Sequence, residues 1–372
     1  MNRKMPTNLS EGARPNQGSF GTLVRNTFRG PAFYGYGFSL GEGHARRPRA
    51  RRLARWLLLI LISGSVSMAQ TNSALRKPDS GPLEANHQIL PDFEADPSAR
   101  VFHGRLYVYP SHDIAGSKDW DMTDWHVFST DDMVHWKDHG VIFSLKDIRW
   151  ANKHAWAPDC IERNGKYYFY FPADDQIGVA VSDSPTGPFK DALGKPLVDS
   201  MEAGADVRSI DPNVFIDDDG QAYLYFGNSH DHVAVVKLKQ DMITRDGPIQ
   251  VMDLKNYHEG IWVHKRNGLY YFSYPSYRGD MVANLMEYSV AKSPLGPFQY
   301  KGVILDNHSR NIHGSITEFK GRWWLFYHVA GPSPYERRVC VAPLHYDKGG
   351  NILPVPEFDL CRNPSPISRS AP

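Results

Sequence analysis

The stretch DPNVFIDDDGQAYLYFG, residues 211–227, decides the fold. It opens on a carboxylate before proline, runs through an alternating apolar segment, turns at Asp219-Gly220 and returns as an aromatic strand. Alternation of Val, Ile, Phe and Tyr around a Gly-containing turn reads as a β-hairpin. The same plan recurs as DPSARVFHGRLYVYPS from Asp96, APDCIERNGKYYFYFP from Ala157, EGIWVHKRNGLYYFSYP from Glu259 and HGSITEFKGRWWLFYH from His313. The turn glycines are Gly104, Gly165, Gly220, Gly268 and Gly321, so the period is about 50 residues. Asn164-Gly165, Asp219-Gly220 and Asn267-Gly268 are two-residue hairpin signals, in which both central residues take positive φ.

A second element follows three of the hairpins: HVFSTDDMVHWKDHG from His126, VAVSDSPTGPFK from Val179 and YSVAKSPLGPFQY from Tyr288. It supplies a third and a fourth strand. Four strands per repeat and five repeats predict an all-β, five-bladed β-propeller with four-stranded antiparallel blades around a central channel. A β-sandwich gives no reason for the plan to repeat five times. The segment VCVAPLHYDKGGNILPV, residues 339–355, reads as a further hairpin that completes the last blade or closes the ring. The expected boundaries are a basic leader with a signal-like segment over 1–69, a linker over 70–84, the propeller over 85–356 and a tail over 357–372.

The leader stands apart in charge. Residues 1–70 hold 11 Lys+Arg against 2 Asp+Glu, which leaves 31 against 39, a net of −8, for the rest of the chain. A body of that sign lacks the basic footprint of a nucleic-acid binder. Residues 46–55, RRPRARRLAR, precede the apolar run WLLLILI and then Ser67-Met68-Ala69, where Ser67 and Ala69 put small side chains at the two positions a signal peptidase reads. That order predicts a secretory signal cut after Ala69, and a secreted or periplasmic protein. The apolar run falls short of the ~20 residues of a spanning helix. Membrane attachment is expected only if the leader stays uncleaved. The 45 residues before the basic cluster are rich in Gly, Asn and Ser, which also fits translation starting later. Cys160, Cys340 and Cys361 form no CxxC pair, which argues against a zinc site. One disulfide is open to them, and buried free thiols are the plainer expectation.

Inner strands of a propeller start at the channel, so the first positions of the five repeats converge. Counted back from the turn glycine these are Asp96, Ala157, Asp211, Glu259 and His313. Asp-Pro pairs commonly start turns, and each acid alone reads as structural. Three acids at matched positions read as acid–base machinery, because crowded carboxylates shift one another's pKa. Glycoside hydrolysis needs one carboxyl protonated and one ionised. Trp156 and Trp262 flank these positions and are candidates to stack on a sugar ring, with core packing the alternative. Asp92 is a rival for Asp96.

From about Leu83 to Val355 the chain resembles glycoside hydrolase family 43, the five-bladed β-xylosidases, α-L-arabinofuranosidases and arabinanases. The resemblance rests on Ala95-Asp96-Pro97-Ser98, Trp156-Ala157-Pro158-Asp159, Ser209-Ile210-Asp211-Pro212, Glu259-Gly260 and His313-Gly314-Ser315, in that order. It implies inverting removal of a terminal pentose from hemicellulose-type oligo- or polysaccharide. By position Asp96 is similar to the family's general base, Glu259 to its general acid and Asp211 to the residue that raises the acid's pKa. The resemblance also implies that His313 holds a hydrated calcium ion in the channel in some members, with no cofactor required. It implies that Arg337 contacts substrate, in a register ambiguous with Arg338. The segment over residues 120–139 resembles bacterial arabinofuranosidases and xylosidases. No extra C-terminal sandwich is visible after the propeller, which leaves exo against endo action open. No stable protein partner is implied. Two rivals remain: a retaining five-bladed fructan hydrolase, and a sugar-binding propeller without catalysis. Unlike residues at the five matched positions favour one asymmetric central site over the latter.

Overall fold

The computed structural model describes residues 87–278, 282–307, 311–331 and 333–356. The expected leader, linker and tail, and Cys361, lie outside the described residues. Twenty strands form five four-stranded antiparallel sheets. Blade one holds β2 (Glu94–Phe102), β3 (Arg105–His112), β4 (Asp124–Thr130) and β5 (Lys137–Ser144). Blade two holds β6 (Asp159–Arg163), β7 (Lys166–Ala173), β8 (Gln176–Ser182) and β9 (Lys190–Asp191). Blade three holds β10 (Asn213–Ile216), β11 (Ala222–Phe226), β12 (His232–Leu238) and β13 (Gln250–Asp253). Blade four holds β14 (Trp262–Arg266), β15 (Leu269–Arg278), β16 (Val282–Ala291) and β17 (Gln299–Asp306). The protein is a five-bladed β-propeller, and the described residues contain no α-helix.

Blade five explains how the ring closes. β18 (Gly314–Phe319), β19 (Arg322–Ala330) and β20 (Arg337–Leu344) come from the end of the chain, and β1 (His87–Gln88) comes from its start. β1 pairs antiparallel with β20 as the outer strand, His87 opposite Val341. The tail segment therefore supplies the third strand of the last blade, and the final closure is made by residues upstream of blade one. Joining distant chain ends in one sheet leaves no blade to open independently.

The hairpin turns follow their residues, with one exception. Asn164-Gly165 and Asn267-Gly268 hold positive φ at both positions. At Asp219-Gly220 only Gly220 does, and five residues separate Ile216 from Ala222. Asp217 N–H donates to the Gln221 carbonyl and Gly220 N–H to the Asp217 carbonyl, which makes a longer loop.

The blades pack through five apolar clusters rich in aromatic rings. The inner strands β2, β6, β10, β14 and β18 touch in cyclic order around the axis. A polar belt ties them there. Asp159 accepts from Ser98 Oγ at 2.6 Å, Arg100 Nε at 2.9 Å, Val214 N at 2.7 Å and Asn213 Nδ2 at 3.1 Å. Asn213 Oδ1 accepts from Val263 N at 3.0 Å. Trp262 Nε1 donates to the Ile316 carbonyl at 2.8 Å, and Ser315 Oγ donates to the Pro97 carbonyl at 2.7 Å. Each adjacent pair of blades is thus joined at the axis.

Cys160 is a buried free thiol. Cys340 is disulfide-bonded, which corrects the free-thiol expectation for it.

Candidate active site

A cavity of about 250 Å³ lies at the axis, and Asp96, Ala157, Asp211, Glu259 and His313 all line it. These are the five matched first positions of the repeats, one from each blade.

Local backbone aims the two aspartates. Asp96 has φ 50° and Asp211 φ 53°, left-handed values that are uncommon for residues with a Cβ. In β2 the ladder to β3 breaks between Ala95 and Ser98, so Asp96 and Pro97 bulge out of register. A bulge re-aims a side chain that regular pleating would leave in line. Such strain concentrates at functional positions. Glu259 is followed by Gly260 at φ 60°, where a Cβ would meet the His313 ring at 2.7 Å. Only glycine lets the Glu259 segment pass so close to His313.

Asp96 is anchored on all sides. Its Oδ2 accepts from Ser111 Oγ at 2.6 Å and its Oδ1 from Arg337 NH1 at 2.8 Å. Burial alone would raise its pKa. The Arg337 charge and the hydrogen bonds from His313 and His328 outweigh burial and hold it well below the usual carboxylate range. Arg337 is fixed in turn by Asp113, with Nε–Oδ2 at 2.9 Å and NH2–Oδ1 at 2.8 Å. The register ambiguity resolves: Arg337 lines the cavity, and Arg338 NH1 faces Gln88 instead.

Asp211 is the opposite case. Its carboxylate accepts no hydrogen bond among the described residues, and its nearest cation is His313 Nδ1 at 4.0 Å. Burial pushes it up to about 8; the His313 charge opposes this, while Glu259 and Asp96 reinforce it. Glu259 accepts from Asn228 Nδ2 at 2.8 Å and from Asn311 Nδ2 at 3.1 Å, which fixes its orientation. Asn311 Oδ1 also accepts from Arg337 NH1 at 3.2 Å, so one amide joins the Glu259 side of the cup to the Asp96 side.

His313 sits between acids, its Nδ1 3.5 Å from Asp96 Oδ1. Burial opposes its charge, but Asp96 and Asp211 together raise its pKa. A calcium ion takes about six to eight oxygen ligands. His313 offers one nitrogen held towards protonation, and the oxygens beside it belong to Asp96 and Asp211. A hydrated ion takes most of those oxygens from water, and His313, which lines the cavity at the axis, is the residue that would hold it.

Trp156 lines the cavity, its Nε1 donating to the Trp120 carbonyl at 2.7 Å. Trp262 does not. It is 4% exposed, belongs to the core between blades four and five, and carries the Arg100 guanidinium 4.2 Å over its ring. The expected sugar-stacking role of Trp262 is therefore corrected to a structural one. Sequence reasoning missed Trp120, Arg208, His258 and Asn311, which also line the cavity. Trp120 and His258 carried a signal, since one lies in the family-like segment 120–139 and the other adjoins Glu259. Arg208 and Asn311 sit on loops with no repeat position to mark them.

The chain matches the family described as "Glycosyl hydrolases family 43" over residues 86–352. It belongs to that family. A curated "Xylosidase/arabinosidase" from Bacteroides ovatus is 37% identical over 329 residues, covering 73% of this chain and 98% of its own. The solved α-L-arabinofuranosidase of Clostridium thermocellum is 43% identical with a TM-score of 0.64, covering 72% of this chain and 95% of that one. A β-xylosidase/α-arabinofuranosidase from a compost metagenome, solved with xylotriose in a calcium-free form, is 35% identical with a TM-score of 0.65. That match covers 73% of this chain and 97% of the other. This family 43 member is thus a glycoside hydrolase of the xylosidase/arabinofuranosidase type.

Proposed function

We propose that this hydrolase removes single terminal pentoses, α-L-arabinofuranose or β-D-xylose, from hemicellulose-type chains by direct water attack with inversion. The observation that carries the reading is the meeting of Asp96, Asp211 and Glu259, from three different blades, on one cavity. A volume of about 250 Å³ lies below the ~300–1,000 Å³ usual for drug-sized ligands, which favours one terminal sugar over a threaded chain. Export from the cell is part of the proposal, supported by the basic, apolar and small-residue order of residues 46–69.

Each role follows from environment. Asp96 stays ionised under Arg337 and takes the proton of the attacking water. Glu259, held by two amides, gives a proton to the leaving oxygen. Asp211, crowded and unbonded, keeps a proton within the acidic group and so keeps Glu259 supplied. Arg337 and Asn311 hold the two ends of the machinery in register. Trp156 and Trp120 offer apolar faces beside polar groups, a surface suited to a sugar ring. Calcium enters none of these steps.

Glu259→Gln tests the acid. Loss of a general acid slows hydrolysis of xylo- or arabino-oligosaccharides by about 10²–10⁴-fold. Nitrophenyl glycosides, whose leaving group needs no proton, lose much less. Equal loss on both substrates removes Glu259 from this role. The product anomer, read by NMR in the first minutes, tests inversion, and retention would sink it.

A further inference from the structure

Blade one carries a second group of ionisable side chains, Glu94, His112, Asp124 and His126, none of which lines the catalytic cavity. Pairing assembles them. Glu94 lies opposite His112 across β2 and β3. Ser111 pairs with Trp125, which brings Asp124 opposite His112 across β3 and β4. His126 lies two residues beyond Asp124 on β4, on the same face.

The contacts are close. His126 Nδ1 is 2.9 Å from Glu94 Oε1, and His112 Nδ1 is 2.7 Å from Asp124 Oδ1. His126 Nε2 lies 3.6 Å from the same Asp124 oxygen. Ligand atoms of Glu94, His112 and His126 lie within 4.8 Å of one another. A separate observation points to a missing partner. Glu94 is 0% exposed, and its Oε2 has no hydrogen bond. Native structures seldom leave a buried carboxyl oxygen unpaired without a reason such as an ion.

We propose that Glu94, His112, Asp124 and His126 bind one divalent transition-metal ion of the zinc class. Two imidazoles with two carboxylates suit zinc and its neighbours, whereas calcium asks for oxygen throughout. Ligand atoms on four-coordinate zinc lie roughly 3.4 Å apart, so those of Glu94, His112 and His126 close by up to about 1.4 Å on binding, and Asp124, outside that group, moves further. His112 and Asp124 are 30% and 22% exposed, and the ion reaches the group past them. The site sits behind the catalytic one. Asp96 lies two residues from Glu94, and Asp113, which holds Arg337, follows His112. A bound ion would pin together the strands that carry both anchors.

The test uses tag-free full-length protein stripped with a chelator and titrated with Zn²⁺ by calorimetry, with elemental analysis of the product. One ion per chain is expected, with a rise in Tm. Co²⁺ in its place should give visible absorption from a nitrogen- and oxygen-ligated site. Asp124→Asn and His126→Ala should each weaken binding at least about tenfold, while His313→Ala leaves it unchanged. If His126→Ala fails to fold, the more exposed Asp124→Asn decides. Absence of stoichiometric binding to folded wild-type protein overturns the proposal, as does undiminished binding in Asp124→Asn.

Discussion

Asp159 and Asp211 are both buried aspartates at the head of an inner strand, and they live in opposite worlds. Asp159 accepts from Ser98, Arg100, Asn213 and Val214, and knits three blades together. Asp211 accepts nothing among the described residues, and burial holds its pKa up. The difference is one step of strand period. Two residues beyond the matched positions Asp96, Ala157, Asp211, Glu259 and His313 come Ser98, Asp159, Asn213, Ile261 and Ser315. The first layer forms the cup and the second forms most of the belt beneath it. A satisfied layer supports an unsatisfied one, as expected where function demands local instability.

Exchanging the carboxylate in each layer should have opposite consequences. Asp159→Asn removes the charge that faces Arg100, which is 14% exposed. Breaking a buried pair from one side costs about 3–5 kcal/mol, read as a lower urea midpoint and Tm. Asp211→Asn should lose activity while keeping or gaining stability at neutral pH, because no hydrogen bond is lost and a burial penalty is relieved. A destabilised Asp211→Asn protein would break the contrast between the layers.

The two tryptophans sharpen it on a smaller scale. Trp262→Ala should cost about 3–5 kcal/mol of stability, since it empties a core position and frees the Ile316 carbonyl. Trp156→Ala should cost less stability than Trp262→Ala, because its ring is only partly buried against the blade-one core and His154, and should raise KM by roughly 2–10-fold, the scale of one lost aromatic contact. A reversal of those readouts would return Trp262 to the pocket.

That pair also shows what a reader of the residues can and cannot see. The repeat plan marks every blade, because hairpins and alternation are local, and it marks the five cup positions, because each lies eight or nine residues before a turn glycine. It does not tell inward from outward at a given tryptophan. Trp262 opens β14 and packs between blades, whereas Trp156 lies before β6 on the cup's rim. Closure by His87–Gln88 was hidden because a two-residue strand carries no period. Arg208 and Asn311 were hidden because loops have none either. The belt was visible in principle, as polar residues two steps into inner strands, where a buried core would predict apolar ones.

The pH dependence of stability tests the charge state of the cup directly. An unfolded aspartate has a pKa of about 3.9, and Asp211 in the folded protein is raised to about 8. Between those values the folded state holds a proton that the unfolded state has lost. Stability attributable to Asp211 therefore falls as pH rises from about 4 to about 8, by at most about 1.4 kcal/mol per pH unit, and levels off outside that window. Asp96 has the other sign: its folded pKa is depressed, so its contribution is present above about 4 and is lost only as pH falls further. His313, raised above its usual value, adds stability that is lost as pH rises through its folded pKa, so wild type alone mixes the two slopes. Subtracting the urea-derived stability of Asp211→Asn from that of wild type at each pH leaves the aspartate and its coupling to His313, both of which decline as pH rises. The difference should decline steadily across the window. A flat difference would mean that Asp211 is ionised in the folded cup, like an acid in the belt, and that the proton Glu259 donates is not kept there by its crowded neighbour.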